Sequence, residues 1–335
     1  MVDFVDMGDE EPAALQFTTG LPGAAVGVIT DADSLDLASP SVSARLDRAT
    51  FTLTEADLDD RRCVRVDSVD DAVRSIARVC DDTPIAAATC TDVLRGVDQE
   101  GPIGPALVTE SLAYSTLQAG PEFRAWSAAR GPASPVPDET APVVVVRGGD
   151  TLRITFDRPR RHNAFTDAMR GILLDALTVA LLDDSIRIVE LSGTGRSFCS
   201  GGDLADFGEF ADPASAHLAR TRHSPAIGLD ALGRRLGVRL QASVHGQVLG
   251  SGLEMAAFCG HVTTTAGARF GLPELSVGLI PGAGGTYSIP RRIGRWRCAY
   301  LVLSGETVDT ATALRWGLVD EVVDPPALTS ASQRN

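Results

Sequence analysis

The 335-residue chain contains no lysine; its 30 basic residues are all arginine. Schiff-base chemistry on a lysine amine is therefore excluded, and any phosphate on a ligand must meet arginine or backbone N–H groups. Six cysteines are scattered without a C-x-x-C pair, and five histidines lack ligand spacing. Neither a zinc site nor a disulfide framework is expected, and the cysteines read as buried thiols of a reducing compartment. No apolar run approaches the roughly 20 residues that span a bilayer. The opening MVDFVDMGDEEP lacks the basic, then apolar pattern of a secretory leader. These absences imply a cytoplasmic protein without a membrane partner. Positive charge is also in deficit: the net charge of −14 argues against nucleic acid as a partner.

Composition is otherwise that of a globular protein, with 44% hydrophobic and 22% charged residues. Residues 1–12 read as an acidic tail. Residues 13–130 form an N-terminal α/β or helical region, with strands expected near Ala24–Thr30 and Arg62–Val66. Helical spacing marks Asp70–Cys80, and one longer amphipathic stretch covers Ala106–Ala128. No chemical motif is visible there, so this region reads as structural or oligomerising. Residues 131–142, rich in proline and acid, read as a linker. A hairpin is then expected over Val143–Phe156, a helix from an N-cap at Thr166 to about Asp184, and a buried strand over Ile186–Leu191. The strand–helix alternation runs to about residue 323 and indicates an α/β fold. Residues 324–335 read as a second tail.

The chemistry concentrates in the second half. Two glycine turns, Ser197–Leu204 (SFCSGGDL) and Leu249–Glu254 (LGSGLE), each follow an apolar run. Each is either a simple turn or a helix start whose N–H groups favour an anion; converging, the two would form an oxyanion hole. Glu254 sits among Leu253, Met255 and Ala256, where a carboxylate is costly to bury unless paired or used. It either complements a helix dipole or acts in catalysis. Glu274, in Leu-Pro-Glu-Leu, is a turn carboxylate or a second acid. Pro281–Gly285 (PGAGG) allows close backbone approach. Two acids and two turns in one α/β unit favour acid/base chemistry on a substrate that develops negative charge.

The order and spacing of these pieces carry a family resemblance. They are DRPRRHNA (157–164), GTGRSFCSGGDL (193–204), the Gly246–Ala256 turn and helix, FGLPEL (270–275), GLIPGAGGT (278–286) and the closing Ser304-Gly-Glu to Gly317-Leu-Val-Asp-Glu-Val322. Residues 143–323 resemble the enoyl-CoA hydratase/isomerase (crotonase) superfamily. The resemblance implies a crotonase-like spiral of ββα units that binds acyl-CoA, with coenzyme A present only as part of the substrate. It needs no metal or other cofactor, and implies a homotrimer or a pair of trimers. It places the thioester oxygen between the N–H groups of Gly202 and Ser251, the latter departing from the usual glycine. Glu254 is then the base that activates water for attack at Cβ, Glu274 the acid that protonates Cα, and Gly282 a donor that helps hold the water. Asp203, Leu204 and Arg160 or Arg161 are implied for coenzyme A; the two arginines read equally as solvated surface residues. Arg291, Arg292, Arg295 and Arg297 read as an exposed helix face. The acyl pocket is expected around Phe207–Gly233, with His217 and His223.

Both glutamates together favour 2-enoyl-CoA hydration. Isomerisation, thioester hydrolysis, decarboxylation, cofactor-free oxygenation and a non-catalytic acyl-CoA scaffold are the alternatives. Family members carry closing helices after Gly-Leu-Val-Asp-Glu-Val, whereas here similar stretches stand at 68–85 and 110–126. The resemblance therefore implies that the cover comes from the front of the chain, as in a circular permutation. The alternative is an unrelated module that binds a partner.

Overall fold

The computed structural model describes residues 2–8, 23–33, 35–131, 141–207 and 212–324. Its first strand, β1 (Asp3–Asp6), falls within the stretch expected to be an acidic tail. Val5 and Met7 are buried while Asp3 and Asp6 face out, so alternation overrides net charge and the segment joins a sheet. Residues 9–12 of that expected tail lie outside the described residues, as do 132–140 of the linker and 325–335 of the second tail. β2 (Ala25–Ile29), α1 (Pro40–Arg48), β3 (Phe51–Thr54) and β4 (Cys63–Arg65) follow. The four strands pair in chain order, all parallel.

Helices take over from residue 69. α2 (Val69–Asp82) starts at Ser68, whose hydroxyl accepts from Asp71 N–H. α3 (Pro84–Gly96), α4 (Ile103–Gln118) and α5 (Pro121–Arg130) complete the region. The single stretch expected over 106–128 is thus two helices. Pro121 cannot extend α4, but it suits the first turn of α5. Glu122 on α5 accepts from the N–H groups of Ile85 (2.6 Å) and Ala86 (2.9 Å), tying α5 to the start of α3.

The expected hairpin forms from β5 (Val143–Gly148) and β6 (Thr151–Phe156). α6 (Asp167–Leu182) is capped by Thr166, which accepts from Met169 N–H, and β7 (Ile188–Gly193) follows. Then come α7 (Pro213–Arg222), α8 (Pro225–Leu236), β8 (Leu240–Val244), β9 (Gln247–Leu249) and α9 (Ser251–Ala256). β10 (His261–Thr265), β11 (Arg269–Gly271), α10 (Gly285–Ser304), β12 (Val308–Asp309), α11 (Thr310–Trp316) and β13 (Glu321–Val323) end the described chain. One sheet has the order β13-β10-β8-β7-β6-β5, parallel except at the hairpin; a smaller one runs β12-β11-β9. Each pass therefore lays one strand in the large sheet (β8, β10) and the next in the small one (β9, β11). The chain spirals.

A continuous hydrophobic core joins the two halves, with Ile76, Leu107 and Phe123 in the same cluster as Leu253, Ile280 and Leu301. Burying each such side chain is worth about 1.5–3 kcal/mol. α2 and α3 pack on α10, α4 packs on α7 and α10, and α5 packs on the Glu274–Val277 turn. Residues 68–128 thus lie against the part of the molecule that carries Glu254 and Glu274. Of the arginines expected on an exposed face of α10, Arg291 is exposed, whereas Arg292, Arg295 and Arg297 are half-buried. Arg292 donates to Cys259 O (2.8 Å) and pairs with Asp320, and Arg297 stacks over Trp316. All six cysteines are free and buried, as expected. Among the described residues no helix is long and apolar enough to cross a membrane.

One close backbone contact between the halves is at Gly278. Its φ of +72° is left-handed, and a Cβ there would meet Phe123 N at 2.8 Å and Glu122 C at 2.9 Å. Gly278→Ala should therefore destabilise the fold by about 2–4 kcal/mol. Urea unfolding checks this, and an unmoved midpoint would mean that α5 does not seat on this turn.

Candidate active site

Two loops are fixed first. Asn163 adopts φ +55°, and its buried side chain accepts from Arg158 N–H (2.7 Å) and donates to the carbonyls of Thr194 (2.9 Å) and Ser197 (2.8 Å). Arg158 in turn meets Asp203 at 2.9 Å, with both side chains about 5% exposed. Burial alone would raise the Asp203 carboxyl, but the Ala205 N–H and the guanidinia of Arg158 and Arg161 outweigh it and hold the group below its ordinary range. The DRPRRHNA motif and the first glycine turn are thereby clamped together.

The second turn runs beside the first. Cys199 N–H donates to Gln247 O (3.2 Å), and Leu249 N–H donates to Cys199 O (3.0 Å). Phe165 bonds on either side of Gly202, accepting from Asp203 N–H and donating to Gly201 O. Among the described residues nothing takes up the N–H of Gly202 or of Ser251, the first residue of α9, and both line one cavity. The first turn opens only a 3-10 turn at Leu204–Asp206, not the helix expected, because Phe207 leaves helical geometry at ψ 131°.

Glu254, Glu274 and Gly282 line this same cavity. Glu254 is 2% exposed and its Oε2 accepts from Ala283 and Gly285 N–H, both at 2.7 Å. Burial, Glu274 and Glu110 push its carboxyl up, and the two N–H groups oppose them. Glu274 lies over Gly250, where a Cβ would stand 2.7 Å from Oε1. As a residue Glu274 is partly exposed, yet its Oε2 is shut from solvent and has no hydrogen-bond partner among the described residues. Burial pushes this carboxyl up to about 8.

The structure thus brings together Glu254, Glu274, Gly202, Ser251 and Gly282. Arg160, Arg161 and Leu204 lie outside the cavity wall. Arg161 stands 3.5 Å from Asp203, and the Leu204 carbonyl accepts from Arg130 of α5. Asp203 borders the cavity, but its carboxylate is spent on Arg158 rather than offered to a ligand. Phe207 and His223 line the cavity as expected; His217 instead meets Ser111 Oγ at 2.9 Å. Two residues were not anticipated. Tyr114 of α4 packs on Gly282, where a Cβ would sit 2.4 Å from its ring, and Glu110, one turn earlier, is 2% exposed. A carboxylate four residues before a tyrosine, on the apolar face of Ile103–Gln118, was the available signal. Among the described residues no three metal-binding side chains cluster.

A family model described as enoyl-CoA hydratase/isomerase matches residues 148–332. The chain belongs to this family. It is 36% identical over 180 residues to the 2,3-dehydroadipyl-CoA hydratase of Escherichia coli, a match covering 54% of this chain and 68% of that one. It is 33% identical to the 1,2-epoxyphenylacetyl-CoA isomerase of the same organism, over 55% and 70% of the two chains. A solved structure of a candidate enoyl-CoA hydratase/isomerase from Mycobacterium abscessus superposes with a TM-score of 0.50 at 34% identity, over 54% of this chain and 70% of that one. The spiral of residues 143–323 is accordingly the crotonase fold, and these relatives support a crotonase-type enzyme acting on an acyl-CoA.

The clamp beneath the first glycine turn is directly testable. Asp203→Asn leaves Arg158 without its buried counter-charge and should cost about 3–5 kcal/mol at neutral pH. A carboxyl held below its ordinary range stabilises the fold above that range and ceases to do so as pH falls through the lowered value. Urea midpoints of the wild type and the variant should therefore converge in acid; a constant gap across pH would contradict the ion pair.

Proposed function

We propose that the protein is a 2-enoyl-CoA hydratase. The thioester carbonyl accepts from the N–H groups of Gly202 and Ser251. Glu254 takes a proton from water as the water oxygen bonds to Cβ, and the C2–C3 π electrons move onto the thioester oxygen. That enolate collapses as Cα takes a proton from Glu274. Water is added whole and no electrons are gained or lost, so the step requires no redox partner. Each hole donor contributes about 2.7–4 kcal/mol to the enolate-like transition state.

The observation that carries this reading is the contrast between two carboxyls in one cavity. Glu254 Oε2 receives two N–H groups that orient it and oppose, without cancelling, the upward push of burial, Glu274 and Glu110, so its carboxyl also stands well above the ordinary range. Glu274 Oε2 receives none and its carboxyl is pushed up to about 8, so it keeps a proton at neutral pH. Hydrogen bonding distinguishes the two: the proposed base is the carboxyl held by two backbone N–H groups, and the proposed acid is the one whose inner oxygen has no partner. The hydratase among the relatives agrees with this reading. We further infer that α2–α5 supply the helical cover that other family members place after the core. The packing of α4 and α5 on the Glu254–Glu274 region supports this circularly permuted arrangement.

Loss of the conjugated enoyl-thioester absorbance on crotonyl-CoA and on longer or aromatic enoyl-CoAs provides the assay. Glu254→Gln and Glu274→Gln should each reduce kcat by about 100–10,000-fold while coenzyme A thioester still binds. Full turnover in either variant would remove that residue from the mechanism. Glu274 must be protonated to act, so kcat/KM should fall as pH rises through about 8. A rate still rising at that pH would contradict the assignment of the acid.

A further inference from the structure

Four successive N–H groups at the start of α10 are divided between two buried carboxylates. Ala283 and Gly285 donate to Glu254. Gly284 and Thr286 donate to Glu110 at 2.8 and 2.9 Å, and the Thr286 hydroxyl adds a third bond at 2.7 Å. Glu110 comes from α4, 174 residues before Gly284 in the chain. The alternation has a steric basis. Consecutive N–H groups at a helix start point in successive directions around the axis, so one side chain cannot collect all four. A second acceptor is required, because an unmet buried N–H costs about 1–3 kcal/mol.

We propose that Glu110 is a positioning residue of the active site: its carboxylate holds Gly284 and Thr286 so that Ala283 and Gly285 stay turned to Glu254 and Gly282 stays in the cavity wall. The inference rests on the hydratase reading above and extends it to a residue from the other half of the chain. Glu110 does not line the cavity and acts only through the loop and through its charge. The ionisable groups facing it are Glu254 from α9, Glu274 from its turn, Arg220 from α7, Tyr114 on its own helix, Cys90 from α3 and Cys298 from α10. Burial raises both thiols and keeps them neutral. Burial also raises Glu110, but its three donors oppose this and hold it at about 6, so it is charged at neutral pH. Its negative charge therefore resists ionisation of the two neighbouring glutamates.

Glu110→Gln in the full chain tests this. The amide keeps the volume but turns an NH2 toward an N–H donor. We expect kcat on crotonyl-CoA to fall by about 10–100-fold, as for a slightly misplaced group, with KM nearly unchanged. The basic limb of the pH profile should move acidward by about one unit, because a neighbouring negative charge is gone. The same shift is read without turnover from the infrared carbonyl band of protonated carboxyls titrated in wild type and variant. A wild type inactive on every enoyl-CoA would thus defeat the hydratase reading, and the infrared titration would still decide the role of Glu110. If Glu110→Gln does not fold, Thr286→Ala removes one of the three donors and should move the titration of the Glu110 carboxyl itself to higher pH, because a carboxylate that loses a donor holds its proton more tightly. A folded variant whose titration superimposes on wild type overturns the proposal.

Discussion

The structure turns on the start of α10, where a loop without side-chain bulk must satisfy four backbone N–H groups away from water. Two glutamates from distant elements do so, one from α9 and one from α4. The Glu254–Glu110 division holds the loop that carries Gly282 into the cavity wall. Buried acids are costly, and three near one another more so. Here backbone donors offset part of the cost for Glu254 and Glu110, and burial and mutual repulsion raise the carboxyls of Glu254 and Glu274.

This arrangement explains why the halves of the chain cannot be considered separately. The spiral of β5–β13 supplies the turns that carry Gly202 and Ser251 and both cavity-facing acids. α4 supplies Glu110 and the Tyr114 ring that packs on Gly282, while α5 reaches across to the Leu204 carbonyl through Arg130. The clamp of Arg158 on Asp203 plays the corresponding part for the loop that carries Gly202, another residue of the cavity lining.

Much of this was legible in the sequence because the decisive features are local. Thr166 caps α6, Gly149 and Asp150 turn the hairpin, and the apolar runs before both glycine turns are strands or approach them. The paired glutamates stood out as charges in apolar surroundings. What was not legible depended on contacts between residues distant in sequence. Val5 and Met7 make an acidic segment a strand only because β2 is there to pair with it. Arg292 and Arg297 read as surface because their partners, Cys259 and Asp320 for the one and Trp316 for the other, lie far along the chain. Glu110 looked like one polar residue in an amphipathic helix, since its partners lie at 284 and 286. Arg160 and Arg161 stood beside the right motif, yet the structure sets them outside the cavity wall.

The central claim is that one acid and one base, set apart by their surroundings, add water across a thioester-conjugated double bond. Incubating the full-length protein with crotonyl-CoA in 18O-labelled water, then locating the label by mass spectrometry, tests it most directly. The account expects one 18O in the hydroxyl at Cβ with the thioester intact. Label in a released carboxylate, or an unlabelled product with a moved double bond, would contradict it.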